Sequence, residues 1–206
     1  MKLRDVHKGE TCVAIANGPS LADVPNEFLE SYITFGVNKI WLKGFAPTYY
    51  AATDPIMGQY TIPIMNMRCR EYFVLDRVCK HQSGLCRIRP VNDDRGVVFS
   101  YDPLKWISTK NGTVMFTVLH IAYLMGFTTV LLVGLDHSGN EHFHPSYELH
   151  GMTGWNYHWD PDRVDDAFRV CRDAYEADGR RIINLTPGSL CDVFEKQEIE
   201  LWQTHI

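Results

Sequence analysis

Four histidines crowd into one stretch of the chain, His142, His144, His150 and His158, within NEHFHPSYELHGMTGWNYHW. Imidazole exchanges protons near neutral pH, so this stretch offers a general base. In an extended segment His142 and His144 project to the same side, which also suits a metal ion, with Asp136 or Glu141 to complete the ligand set. A third reading is structural, with the rings packed among Trp155, Tyr157 and Trp159. Base, ligand and packing roles all stay open. The stretch is too long and irregular for a simple connection, so it is expected to be a lid or substrate loop. Tyr147, Trp155 and Tyr157 either shape an acceptor pocket or pin the loop to the core.

A second set of chemical residues lies at the ends of apolar runs. CVAIANGPSL closes a short apolar segment on Asn17, Gly18, Pro19 and Ser20. If a helix starts there, its backbone N–H groups and dipole favour an anion, Gly18 lets a ligand approach the backbone, and Ser20 adds a hydroxyl donor. The same residues also make a good strand-to-helix turn with a cap. Asn38 ends ITFGVN and Asp54 ends TYYAATD, each either a ligand contact or a cap for the next turn. An acid at Asp54 can accept from a ribose hydroxyl or bind Mg²⁺, but it repels a nearby phosphate. Asn111, Gly112 and Thr113 open a helix whose amino end is a further anion site, with Lys110 just before it and Asn111 as an ordinary cap. Asp136, His137 and Ser138 end TTVLLVGLDHS, where Asp136 either faces a crevice or caps the loop behind it.

These residues need elements to position them. Thr11–Ala16, Ile33–Asn38, Thr48–Asp54, the run through TTVLLVGLDHS and RRIINLT read as strands. Pro19 starts a helix in which Leu21, Val24, Phe28 and Leu29 recur at helical spacing. NGTVMFTVLHIAYLMG places Val114, Met115, Val118, Leu119, Ala122 and Tyr123 on one face and stops at Gly126. DPDRVDDAFRVCRDAYEADG is a helix with Asp160 as cap, Pro161 at its first position and Gly179 as stop. GSLCDVF begins a short helix. Within 56–107, EYFVL and CRIRPV look like strands and RGVVFSY like another, joined by long loops. Strands alternating with helices imply parallel βαβ units, so the polar strand ends share one edge and one crevice. The expected fold class is α/β, a Rossmann-like three-layer sandwich with a mostly parallel sheet and a lid-like loop after the central strand. A single domain over 1–206 is expected, with 56–107 as an irregular insertion or extra strands.

Composition narrows the class. With 206 residues and 45% apolar content, the chain can bury a core without metal or disulfide. A net charge of -5 argues against a general nucleic-acid binder. Six cysteines form no CxxC pair. Cys12 and Cys171 read as core, and the spacing of Cys69, Cys79 and Cys86 matches no standard zinc motif. The first ten residues are polar and no apolar run approaches 18 residues, so a reduced cytoplasmic setting is the default.

Together these motifs resemble a family. ANGPSL resembles the GNGPSL opening of the bacterial CMP-sialic acid sialyltransferases (glycosyltransferase family 42). It also looks like the related superfamily called domain of unknown function 115, which includes the archaeal 6-hydroxymethylpterin diphosphokinases. FGVNKIW is similar to the sialyltransferase second strand, AATDP to the third-strand end, and NGTVMFTVLHIAYLMGFTTVLLVGLDHS to a shared helix followed by a strand ending GxD. HFHP and GRRIINLTPGSLCDVF look like the carboxyl half of phage and bacterial members with no assigned activity. The match covers most of the chain outside 56–107. The resemblance implies a nucleotide-dependent transferase. Asn17, Gly18, Ser20, Asn38, Gly112, Thr113 and Asp136 would hold a CMP-type donor. His144 or His142 would be the base, and Tyr147 and Tyr157 would contact the leaving phosphate. Asp54 departs from the sialyltransferase asparagine and points toward the wider superfamily. There a Mg-dependent pyrophosphokinase using Asp54 and Asp136 is the alternative, and a non-catalytic nucleotide-binding module is another. Partners are a small-molecule donor and acceptor, and the sialyltransferases imply a possible homo-oligomer.

Overall fold

In the computed structural model of the protein, residues 3–75, 78, 83–91, 96–108, 113–139, 141–147 and 160–203 are described. The first strand, β1 (Thr11–Ile15), is an unbroken apolar run buried on both faces, as a central parallel strand requires. Next come β2 (Ile33–Val37), β3 (Tyr49–Ala52), β4 (Glu71–Leu75) and β5 (Cys86–Ile88). Later in the chain lie a short parallel pair, β6 (Pro90–Val91) and β7 (Ile107–Ser108), then β8 (Thr129–Val133), β9 (Arg181–Asn184) and β10 (Glu195–Lys196). The main sheet has the order β10-β9-β8-β1-β2-β3-β4-β5, and every pairing in it is parallel.

That order matters for function. From β1 the chain winds outward through β2 to β5, then returns to the other side of β1 with β8. The carboxyl ends of β1 and β8 therefore flank the switch point, where open parallel sheets leave a crevice.

Alternate residues of each strand feed two cores. Cys12, Ala14, Val130 and Leu132 pack with helices α3 (Val114–Met125) and α4 (Pro161–Ala177). Val13, Ile15, Leu131 and Val133 face the opposite layer, which holds α1 (Asn26–Glu30) and α2 (Thr61–Asn66). The result is the expected α/β three-layer sandwich. Among the described residues no helix is long and apolar enough to cross a membrane.

Several local expectations are corrected. The helix after Pro19 is two pieces, a 3-10 turn at Pro19–Asp23 and α1, because Pro25 cannot continue a helix and serves as the cap of α1. Helix α3 has no solvent face: all twelve of its residues are buried between the sheet and α4. Its cap is Thr113, whose Oγ1 accepts from the Met115 N–H at 3.2 Å. The described part of RGVVFSY forms no strand; Phe99 packs on the His120 ring instead. GSLCDVF is not a helix but a turn leading into β10. Its backbone is fixed by Ser189, whose hydroxyl donates to the Leu135 carbonyl at 2.5 Å. Cys12 and Cys171 are core residues, as expected.

Candidate functional site

At the switch point lies a cavity of about 140 Å³. Its walls come from the ends of β1 (Asn17, Gly18), β2 (Asn38) and β8 (Asp136, His137), and from the amino end of α3 (Thr113). The segment after β8 closes it with Glu141, His142 and Tyr147.

The β1 end is built by close approach. The Gly18 N–H donates to the Gly134 carbonyl at 2.8 Å. A Cβ on Gly18 would lie 2.1 Å from Asp136 Oδ2, so only glycine fits. Gly134 sits at φ +68, and a Cβ there would meet the Ala16 carbonyl at 2.7 Å. Asp136 then accepts from the Ser20 N–H at 3.0 Å and from the Ser20 hydroxyl at 2.8 Å. The anion at the start of the Pro19 turn is thus supplied by the protein. Ser20 and Asp136 bind each other and lock β1 to β8, while Asp136 still lines the cavity.

Tyr147 is the centre of the opposite wall. Its hydroxyl accepts from Asn17 Nδ2 at 3.1 Å, and the same Nδ2 reaches the Val37 carbonyl at 3.0 Å. Burial pushes the Tyr147 hydroxyl pKa up to about 12; hydrogen bonds from the Asn38 side chain, the Lys39 backbone and Asn17 pull the other way. The phenol is therefore neutral at physiological pH. The side-chain carbonyl oxygens of Asn17 and Asn38 are buried and accept no hydrogen bond. Asn38 holds a left-handed φ of 46, which turns its side chain off the end of β2. Two amides thus meet on one tyrosine in the cavity wall, and their two buried carbonyl oxygens go unsatisfied among the described residues, an arrangement that costs stability.

His142 lies flat on Tyr147, with ring centroids 3.8 Å apart at 9°, and lines the cavity. His144 does not line it: its Nδ1 accepts from the Ser146 N–H at 3.0 Å and caps the Pro145–Tyr147 turn. The two rings therefore do not serve one site. Among the described residues they form no metal-ligating group with Asp136 or Glu141, and neither do Cys69 and Cys86. Asp54 is a cap, its Oδ1 accepting from the Ile56 N–H at 3.0 Å, and it stands outside the cavity wall. Asp54 and Asp136 therefore do not line one cavity together. Gly112, Tyr157, Cys79, Lys110, Asn111, His150, Trp155, His158 and Trp159 lie outside the described residues.

Sequence reasoning missed Lys39. Its buried ammonium donates to the Tyr147 carbonyl and sits 4.8 Å from the Tyr60 ring and 5.2 Å from the Tyr147 ring. It fixes the turn that carries Tyr147. The one signal was a charge next to the strand-end Asn38 inside an apolar run. Asp165 was also missed; its Oδ1 lies 3.0 Å from His137 Nε2.

No family model matches the chain, and no curated protein matches its sequence. Solved structures do match its fold. One is the sialyltransferase CstII from Campylobacter jejuni in complex with a substrate analogue, cytidine-5'-monophosphate. It is 15% identical with a TM-score of 0.53, over 92% of this chain and 85% of that one. Another is a single-residue variant of the sialyltransferase Cst-II in complex with CMP, 14% identical with a TM-score of 0.55, over 90% and 85% of the two chains. At these identities the likeness establishes a shared α/β fold.

Proposed function

We propose that the protein is a nucleotide-dependent transferase acting on a cytidine-monophosphate sugar. The observation that carries this reading is the pair of buried, unsatisfied carbonyl oxygens of Asn17 and Asn38 at the switch-point cavity. A nucleoside supplies matching donors in its ribose hydroxyls and the exocyclic amine of cytosine. The amino end of α3, at Thr113, provides a dipole for the phosphate, and the neutral Tyr147 hydroxyl is a further polar group beside it. The solved structures of like fold that contain CMP support the same ligand class.

In the proposed reaction an acceptor hydroxyl attacks the anomeric carbon of the sugar. The new glycosidic bond forms as the sugar–phosphate C–O bond breaks, and CMP leaves with that electron pair. His142, stacked on Tyr147 in the cavity wall, takes the acceptor proton; of the two candidate histidines it is the one that faces the ligand space. The Mg-dependent pyrophosphokinase reading has less support, because Asp54 stands off the wall that Asp136 lines.

Incubation with a CMP-linked sugar in EDTA tests the chemistry. CMP release is expected from the unaltered protein, with a loss of about 10²–10⁴-fold in His142→Ala, the range for removing a general base. His144→Ala is expected to retain turnover. Binding of the donor without CMP release would support the non-catalytic module instead.

A further inference from the structure

A second cluster sits behind the His137 wall of the cavity. His137 Nε2, Asp165 and Cys191 Sγ come from three separate elements: the end of β8, helix α4 and the turn after β9. Each offers one ligand atom, and these atoms all lie within 4.8 Å of one another. The assembly is held in place by the backbone. Leu190 N–H donates to the Asp136 carbonyl at 2.9 Å, next to His137, and the Cys191 N–H donates to Ser189 Oγ at 3.2 Å. Cys191 is fully buried, and the His137 side chain is 4% exposed. Asp165 Oδ1 is buried 3.0 Å from His137 Nε2, and its other oxygen lies 3.7 Å from the Arg169 guanidinium.

We propose that His137, Asp165 and Cys191 form a binding site for a zinc-class divalent cation. Nitrogen, oxygen and sulfur donors together select a borderline-soft ion over Mg²⁺ or Ca²⁺. With metal–ligand bonds of about 2.0 Å to nitrogen or oxygen and 2.3 Å to sulfur, the ligand atoms of a tetrahedral site stand about 3.3–3.8 Å apart. Small side-chain adjustments bring the cluster to that spacing. On binding, the Cys191 thiol proton goes to solvent. The thiolate and carboxylate then bring two negative charges to the dipositive ion, with the Arg169 guanidinium 3.7 Å from the outer Asp165 oxygen. Three protein ligands leave a fourth position for water, beside the His137 wall of the cavity. The ion would tie α4 and the turn after β9 to the end of β8. This inference is independent of the nucleotide reading.

Cobalt titration of the EDTA-treated, dialysed full chain tests it, because a cobalt–thiolate bond gives a charge-transfer band that histidines alone cannot. The expected result is one equivalent of Co²⁺ with that band, displaced by Zn²⁺. Cys191→Ser should lose the band. Asp165→Asn, a near-isosteric change checked for folding by circular dichroism, should weaken binding by about tenfold or more. His144→Ala should leave the band intact. No band in the folded wild type, or a band that survives unchanged in both Cys191→Ser and Asp165→Asn, overturns the proposal.

Discussion

Asn38 is the residue at which ligand binding and stability separate most cleanly. Its φ of 46 is a conformation glycine adopts without cost, and its side-chain carbonyl oxygen has no hydrogen-bond partner among the described residues. Asn38→Gly is therefore expected to keep the melting temperature within about 2 °C, since the loss of its contact with Tyr147 is offset by easier backbone geometry. On the proposed function the same change removes one of two acceptors for the nucleotide and should weaken CMP by roughly tenfold, about 1.4 kcal/mol. Calorimetric titration beside a thermal melt reads both quantities. An unchanged CMP affinity would remove Asn38 from the site. Gly18 carries a different lesson. Its lack of a side chain is explained by Asp136, which lies against it, and not by a ligand. The sequence pattern around it was legible as a tight turn, but the partner that makes glycine obligatory is 118 positions away and left no local trace.

At the scale of elements, helix α3 carries the clearest pH dependence. His120 is fully buried in it, with Nδ1 2.7 Å from the Phe116 carbonyl and its ring stacked on Phe99 at 4.1 Å. Burial lowers its pKa from 6.5 to about 3. Between those values the unfolded chain binds a proton that the folded chain excludes. The His120 contribution is thus fully present above pH 6.5 and declines as pH falls toward 3, by about 1.4 kcal/mol per unit. Denaturant unfolding at pH 7 and pH 5 should show a loss of about 2 kcal/mol from this group. His120→Gln, which cannot titrate, should flatten the decline; an unchanged pH slope in that variant contradicts the assignment. The strands β1, β2, β3, β8 and β9 were legible because each centres on an apolar run bounded by polar or glycine residues, although β3, β8 and β9 end short of the expected polar positions. What failed were elements set by distant partners. Helix α3 looked amphipathic because its apolar residues recur at helical spacing, but Thr117 and His120 on its other side are buried as well. GSLCDVF reads as a helix start, but most of its residues are weak helix formers and the hydrogen bonds of Ser189 with Leu135 and Asn184 hold it as a turn.

For the whole molecule, strand order explains why residues so far apart in the chain meet. Reversal of the winding direction at β1 puts the β1, β2 and β8 ends beside the amino end of α3. The polar strand ends marked that edge in the sequence. Tyr147 was legible as a lid residue but not as the meeting point of Asn17 and Asn38, and the buried Lys39 beneath it was not legible at all. Asp54 shares the edge by topology yet stands off the cavity wall, because its carboxylate caps the turn that follows it. The central claim is that this crevice binds a cytidine nucleotide through protein groups alone. Isothermal titration of the full chain with CMP in EDTA tests it most directly. The account predicts saturable one-to-one binding that Asn38→Gly weakens roughly tenfold; no binding to CMP, or binding confined to ATP with Mg²⁺, would contradict it.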